Sequence, residues 1–299
     1  MPSRVGPGAR RRREIGLAYL LLAPTLLLVA AVLGYPLGWE VWTSFTNLSP
    51  LQDRVAFVGL QNYRGQIEDP QFWLAATVTV VHAAITTVAK LALGLGFALL
   101  LARPFRGRTL VFLAVFLPWA YPASVSVIGW YWTLSPPITT SYSVFMGTLK
   151  YAVDNALGTG AWVFLSVTLF NIWRGSSFIG VLLLAGINAV PPELFEYATL
   201  ESKSAWQRFW MVTVPVLKPF LALGVFLSLT SGFADLANVW MLTNGRIVFP
   251  VIGTHAYWLA IEGGEFGPAS ALSLMLVPFL LAALLLLFRL FDPPDREPA

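Results

Sequence analysis

The chain has 299 residues, of which 57% are hydrophobic and 11% charged, with a mean hydropathy of +0.70. Soluble domains carry about 25% charged residues, so a water-soluble fold is excluded and a membrane class is expected. There is no Cys, which rules out disulfides and thiolate metal sites, and His82 and His255 are the only histidines, too few for His-based metal or acid–base chemistry.

The net charge of +4 reads as membrane topology rather than nucleic-acid binding. The run Arg10–Arg13 tests the point. It precedes a first apolar stretch, where the positive-inside rule makes it a cytoplasmic retention charge.

A membrane-crossing helix needs about 20 mostly apolar residues. Six stretches meet that: Leu17–Trp42, Trp73–Ala102, Leu110–Leu134, Ala161–Gly186, Phe220–Leu242 and Ala269–Phe288. The first is longer than a signal-peptide core and no clean cleavage site follows, so it reads as a retained helix. The expected fold is therefore all-α and polytopic, with six transmembrane helices. With both termini inside, thirteen Lys and Arg fall on inner segments and four (Arg54, Arg64, Lys150, Arg246) on outer ones, which favours both ends being cytoplasmic. The organisation expected is a basic tail at 1–16, a first helix and outer segment at 17–72, a five-helix core at 73–290 and a tail at 291–299. The outer segments near 43–72, 135–160 and 243–268 are long and rich in Pro, Gly, Asn and Thr. One inner connection, at 103–109, is a tight basic turn. The other, 187–219, is the only inner loop large enough to dock a partner. No internal repeat is visible, which weighs against a stand-alone secondary transporter.

The long inner loop has its own pattern. Pro191 and Pro192 suit a helix start, with Glu193 and Glu196 near its positive end. Leu194, Tyr197, Ala198 and Glu201 share one face. Ser202 and Ser204 offer a break and an N-cap. A second helix is expected over Ala205–Val214, with Pro215 and Pro219 marking entry to the fifth span.

This stretch resembles the EAA loop of permease subunits of bacterial, binding-protein-dependent ABC sugar importers. Glu196 stands at the Glu position, Ala198 at the second Ala, Ser202 where Gly is usual, and Val212-Thr-Val-Pro215 at the closing segment. Tyr197 replaces the first Ala. The run Trp206-Gln-Arg-Phe-Trp210, the stretch Phe57-Val-Gly-Leu-Gln-Asn-Tyr63 followed by Asp69, Phe72 and Trp73, and Phe266-Gly-Pro-Ala-Ser-Ala271 extend the likeness over most of residues 17–290. The resemblance implies that Glu193, Glu196, Tyr197, Ala198, Glu201, Ser202, Arg208 and Pro215 couple the chain to a cytoplasmic ATPase. It also implies a second permease, a dimer of ATPase subunits, an extracytoplasmic sugar-binding protein and a place in the bacterial plasma membrane. The chain has no GxxxxGK[ST] loop, so ATP would be bound by the partner subunits and no cofactor by this one.

Charges inside spans are costly and mark sites. Lys90 lies late in the second span, where it would snorkel to the headgroups or face a partner. Asn171 and Arg174 lie mid-span in the fourth, and Asp235 and Asn238 in the outer half of the fifth, where Arg174 is placed either to pair with Asp235 across helices or to meet a group on a partner subunit. A sugar path offers polar groups to hydroxyls and aromatic faces to C–H surfaces. Trp119, Tyr121, Trp130, Tyr131, Trp132, Asn171, Trp173, Arg174, Asp235 and Asn238 are the candidates, the aromatics competing with an interfacial role. Pro118, Pro122, Gly129 and Gly232 are places where helices can loosen. An intramembrane enzyme finds no support, since HExxH, GxSxG and paired carboxylates are missing. The outer side is poor in Lys and Arg, which favours a neutral sugar over a glycerol phosphate ester.

Overall fold

The computed structural model describes residues 7–52, 54–134, 141–157, 160–191, 193–194, 197, 202, 204–245 and 249–291. Among these, the secondary structure is helical apart from one isolated bridge between Thr46 and Phe57. The reason is the bilayer: backbone polar groups in lipid must be satisfied within their own segment.

The first span is α1 (Pro7–Val29), a π turn (Ala30–Gly34) and α2 (Tyr35–Ser44), continuous from Ile15 to Ser44 in its apolar part. Its most apolar stretch buries nothing within the chain, so this helix lies at the periphery. A short helix, α3 (Gln61–Glu68), leads to α4 (Pro70–Leu101), whose first turn is capped by the Asp69 carboxylate accepting from the Gln71 N–H at 2.9 Å. The basic turn after α4 closes through Gly107 at φ +87°, a left-handed conformation suited to glycine.

The third span departs from the single helix expected over Leu110–Leu134. It is two helices, α5 (Arg108–Ala120) and α6 (Ala123–Leu134), bent by 96°. Pro122 is the cause. It has no N–H to continue the ladder, and it forces Tyr121 into extended backbone (φ −70°, ψ 145°). Pro118, by contrast, sits inside α5 without ending it. The segment that follows contains α7 (Ser141–Leu157), where a loop was expected.

The fourth span is α8 (Ala161–Asn188), the most buried helix of the bundle. Small residues let it approach α4 closely: a Cβ on Gly94 would meet Ile179 Cγ2 at 2.7 Å and the Gly180 nitrogen at 2.9 Å. Ala98, Leu101, Ile179, Leu183 and Leu217 form the apolar core around that contact.

The fifth span begins earlier and ends earlier than expected. After α9 (Ala205–Arg208), whose N-cap Ser204 accepts from the Gln207 N–H at 3.2 Å, a π turn (Phe209–Thr213) runs straight into α10 (Val214–Phe233). Trp206 to Phe233 is thus one helix, and Pro215 lies just past its π turn, in the first turn of α10, rather than separating two elements. The helix stops at Ala234–Asp235, and a separate α11 (Leu236–Leu242) follows. After α12 (Ile252–Tyr257) and a π turn (Trp258–Glu262), the last span is α13 (Phe266–Phe291).

The first and last spans are sealed by residues of the sequence motifs. Asn62 Nδ2 donates to the carbonyls of Ser44 and Thr46, both at 2.8 Å. Gly267 lies against the same Thr46 carbonyl, so close that a Cβ there would sit 2.1 Å from the oxygen.

Candidate functional site

The spans supply an unusual set of buried polar groups at the point where two helices break. The α10–α11 break leaves Asp235 with φ −79° and ψ 53°, only 5% exposed, and with both carboxylate oxygens turned into the bundle. Asn238, one turn on in α11, donates its amide to Oδ1 at 2.6 Å, and Asn171 of α8 donates to Oδ2. An ionised carboxylate only accepts, so both Asn side chains must point their NH2 groups at it. Asn171 Oδ1 is thereby left facing away, buried and without a partner.

Arg174 of α8 does not pair with Asp235, contrary to the cross-helix pair the sequence suggested. Its Nη1 donates to the carbonyls of Pro118 at 3.0 Å and Tyr121 at 2.9 Å. The physical reason lies in α5. A helical carbonyl at 118 would normally accept from the N–H at 122, and Pro122 has none. Arg174 supplies the missing donor and pins the bend. Its remaining guanidinium nitrogens make no hydrogen bond among the described residues.

Lys90 neither snorkels nor faces outward. It is 3% exposed, its stem lies on Gly175 of α8, and its Nζ donates to Ser231 Oγ at 3.3 Å. A Cβ on Gly175 would sit 2.5 Å from Lys90 Cε, so the glycine makes the room. Nearby Ser228 Oγ is buried and has no hydrogen-bond partner among the described residues.

These groups line one cavity of about 370 Å³ enclosed by α4, α5, α8, α10 and α11, with Trp119, Phe170 and Phe178 on its apolar wall. Of the sequence candidates, Trp119, Asn171, Arg174, Asp235 and Asn238 come together there. Tyr121, Trp130 and Trp173 do not. They line a neighbouring pocket of about 340 Å³ under the α5–α6 bend, where Trp130 tilts against Trp173 at 5.5 Å. Tyr131 and Trp132 line a third pocket with Trp240 and Asn244. Ser228 and Ser231, with Phe170 and Phe178 on the wall, are cavity residues that sequence reasoning missed. The two serines carried no signal, because hydroxyls are common in membrane helices, whereas Lys90 was conspicuous by charge and misplaced by direction. No group of three or more metal-binding side chains is found among the described residues.

Of the coupling-loop residues, Glu196, Ala198 and Glu201 lie outside the described residues. Glu193 and Leu194 are helical and exposed, and Tyr197 is 68% exposed. Ser202 is buried, and its φ is not positive, so the Ser in place of Gly adopts no left-handed turn. Arg208 ends α9, and Pro215 is exposed at the start of α10.

No protein-family model matches the chain. The trehalose transport system permease protein SugA of Mycobacterium tuberculosis is 30% identical over 302 residues, covering 99% of this chain and 95% of SugA. The inner membrane ABC transporter permease protein YcjO of Escherichia coli is also 30% identical, covering 92% and 94%. This chain belongs to the permease subunits of ABC transporters. The permease is therefore a transport subunit and not an enzyme, and a stand-alone secondary transporter is set aside. Its fold agrees: a crystal structure of a bacterial alginate ABC transporter, in complex with an alginate pentasaccharide-bound periplasmic protein, superposes with a TM-score of 0.71 at 18% identity, over 94% of this chain and 96% of that one.

Proposed function

We propose that this permease forms half of the membrane passage for a sugar, delivered by an extracytoplasmic binding protein and driven by separate ATPase subunits. The observation that carries the reading is the cavity at the two helix breaks. It joins an aromatic wall to polar atoms, Asn171 Oδ1 and Ser228 Oγ, that are buried without partners. Buried polar groups are ordinarily satisfied, so such atoms suit a ligand that brings hydroxyls. Relatives named for trehalose transport support the sugar class.

The partners on this reading are a second permease, which closes the cavity from the other side, and two ATPase subunits that grip residues 187–219. The same segment must then lie on the cytoplasmic face of the plasma membrane, with both termini. The exposed Tyr197 and the Ser204-capped helix behind it suit a docking element held rigidly to the fifth span. Because Trp206–Phe233 is one helix, a push on the loop reaches Ser228 and Ser231 without an intervening hinge, and ends at the Asp235 break.

The test is reconstitution. The permease purified with its partner permease and ATPase is placed in proteoliposomes with the binding protein, and radiolabelled sugar uptake is followed with and without ATP. Uptake requiring both ATP and the binding protein is expected. ATP-independent uptake by this chain alone would overturn the reading.

A further inference from the structure

The charges facing the cavity do not balance. Lys90 and Arg174 face it, and Asp235 is its only carboxylate among the described residues. Neither cation lies within ion-pair distance of a carboxylate among the described residues. Asp235 instead accepts from two neutral Asn amides, one on each oxygen, so the cavity keeps two cations against one carboxylate. Lys90 spends one N–H on a weak bond to Ser231, and Arg174 uses only Nη1, on backbone carbonyls. An excess positive charge held in a low-dielectric interior is costly, and a ligand that supplies the missing negative charge recovers that cost.

We propose that the cavity selects a sugar bearing an acidic group, a uronate-type carboxylate held by Lys90 and the idle edge of Arg174, with its hydroxyls on Asn171 and Ser228 and a ring face on Trp119. This rests on the sugar-passage reading and differs from the neutral sugar that the sparsely basic outer side suggests. Outer loops set steering, whereas the charge inside the spans sets what can be held there.

Trp119 is on the cavity wall, so its fluorescence reports occupancy. The purified complex in nanodiscs, without binding protein, is titrated with methyl glucuronoside, its neutral methyl ester and methyl glucoside, using Trp119→Phe to identify the signal. The acid is expected to bind at least about tenfold more tightly than the ester, and Lys90→Met to bring the two within about twofold. Equal binding of acid and ester to the unaltered complex would overturn the charge proposal, and is the result if the second permease brings a compensating carboxylate. An undiminished preference in Lys90→Met would overturn it as well. Should Lys90→Met not fold, the acid-to-ester ratio of the unaltered complex decides alone. If none of the three sugars moves the Trp119 signal, the sugar-passage reading itself fails.

Discussion

Replacing Asp235 with Asn removes one charge and leaves the side chain's shape nearly unchanged. The carboxylate now accepts from Asn171 Nδ2 and from Asn238 Nδ2, the latter at 2.6 Å. An amide has one acceptor oxygen. One of the two donors therefore meets another NH2 group, and the surviving bond becomes neutral. Losing one charge-assisted bond costs about 1.5–3 kcal/mol, and weakening the other about 1 kcal/mol more. Asn171 can escape by flipping its amide, but the flip withdraws Oδ1 from the cavity and presents a donor where the sugar path needs an acceptor. The two terms sum to about 2.5–4 kcal/mol lost from the buried network, and where that loss falls on the sugar-bound state it is equivalent to about 70-fold or more in uptake at limiting sugar. The assay is ATP-dependent uptake in proteoliposomes alongside thermal unfolding of the same preparation. Uptake within about twofold of the unaltered protein, with unchanged unfolding, would refute the reasoning.

Three further outcomes follow from the same geometry. In double-mutant cycles on stability, Asn171→Ala with Asp235→Ala is expected to show coupling of about 1 kcal/mol or more, and Arg174→Ala with Asp235→Ala about 0.5 kcal/mol or less; a larger value for the second pair would restore the ion pair. Gly267→Ala drives a methyl group into the Thr46 carbonyl that Asn62 holds, and is expected to cost about 2–4 kcal/mol of overpacking and lost hydrogen bonding, read as a lower midpoint in detergent unfolding; an unchanged midpoint would show that the seal between first and last spans gives way freely. Glu196→Lys is expected to insert normally while abolishing sugar-stimulated ATP hydrolysis by the complex, and normal stimulation would remove Glu196 from the coupling contact.

Much of the architecture was legible because apolar length is a property of the chain itself. Four of the expected spans are single helices within the described residues, the third is the bent pair, and the fifth, expected to run to Leu242, breaks at Ala234–Asp235. Pro122 was visible as a loosening point, yet the 96° bend was not, since a proline in a membrane helix is often tolerated when a neighbour satisfies the freed carbonyl. Here that neighbour is Arg174, 56 residues away, and its role depends on packing that no local pattern announces. The same holds for Lys90. Its charge marked it, but whether a lysine snorkels or turns inward is decided by the glycine opposite, Gly175, which only the α4–α8 contact reveals. The helix α7 was hidden because its surroundings are rich in turn residues. The motif residues Asn62 and Gly267 were read as family likeness, and the structure gives them a physical task in joining the first span to the last.

The central claim is that sugar passes through the cavity between α8 and α10. The chain has no cysteine, so a single Ser228→Cys substitution gives one reporter at the cavity wall, and Val144→Cys on the exposed face of α7 gives a control. Labelling by a small thiol reagent is followed during ATP-driven turnover in proteoliposomes, with and without the transported sugar. The account predicts that sugar slows labelling at 228 and leaves 144 unchanged. Equal labelling rates at 228 in the presence and absence of sugar, in a complex shown to be transporting, would contradict it.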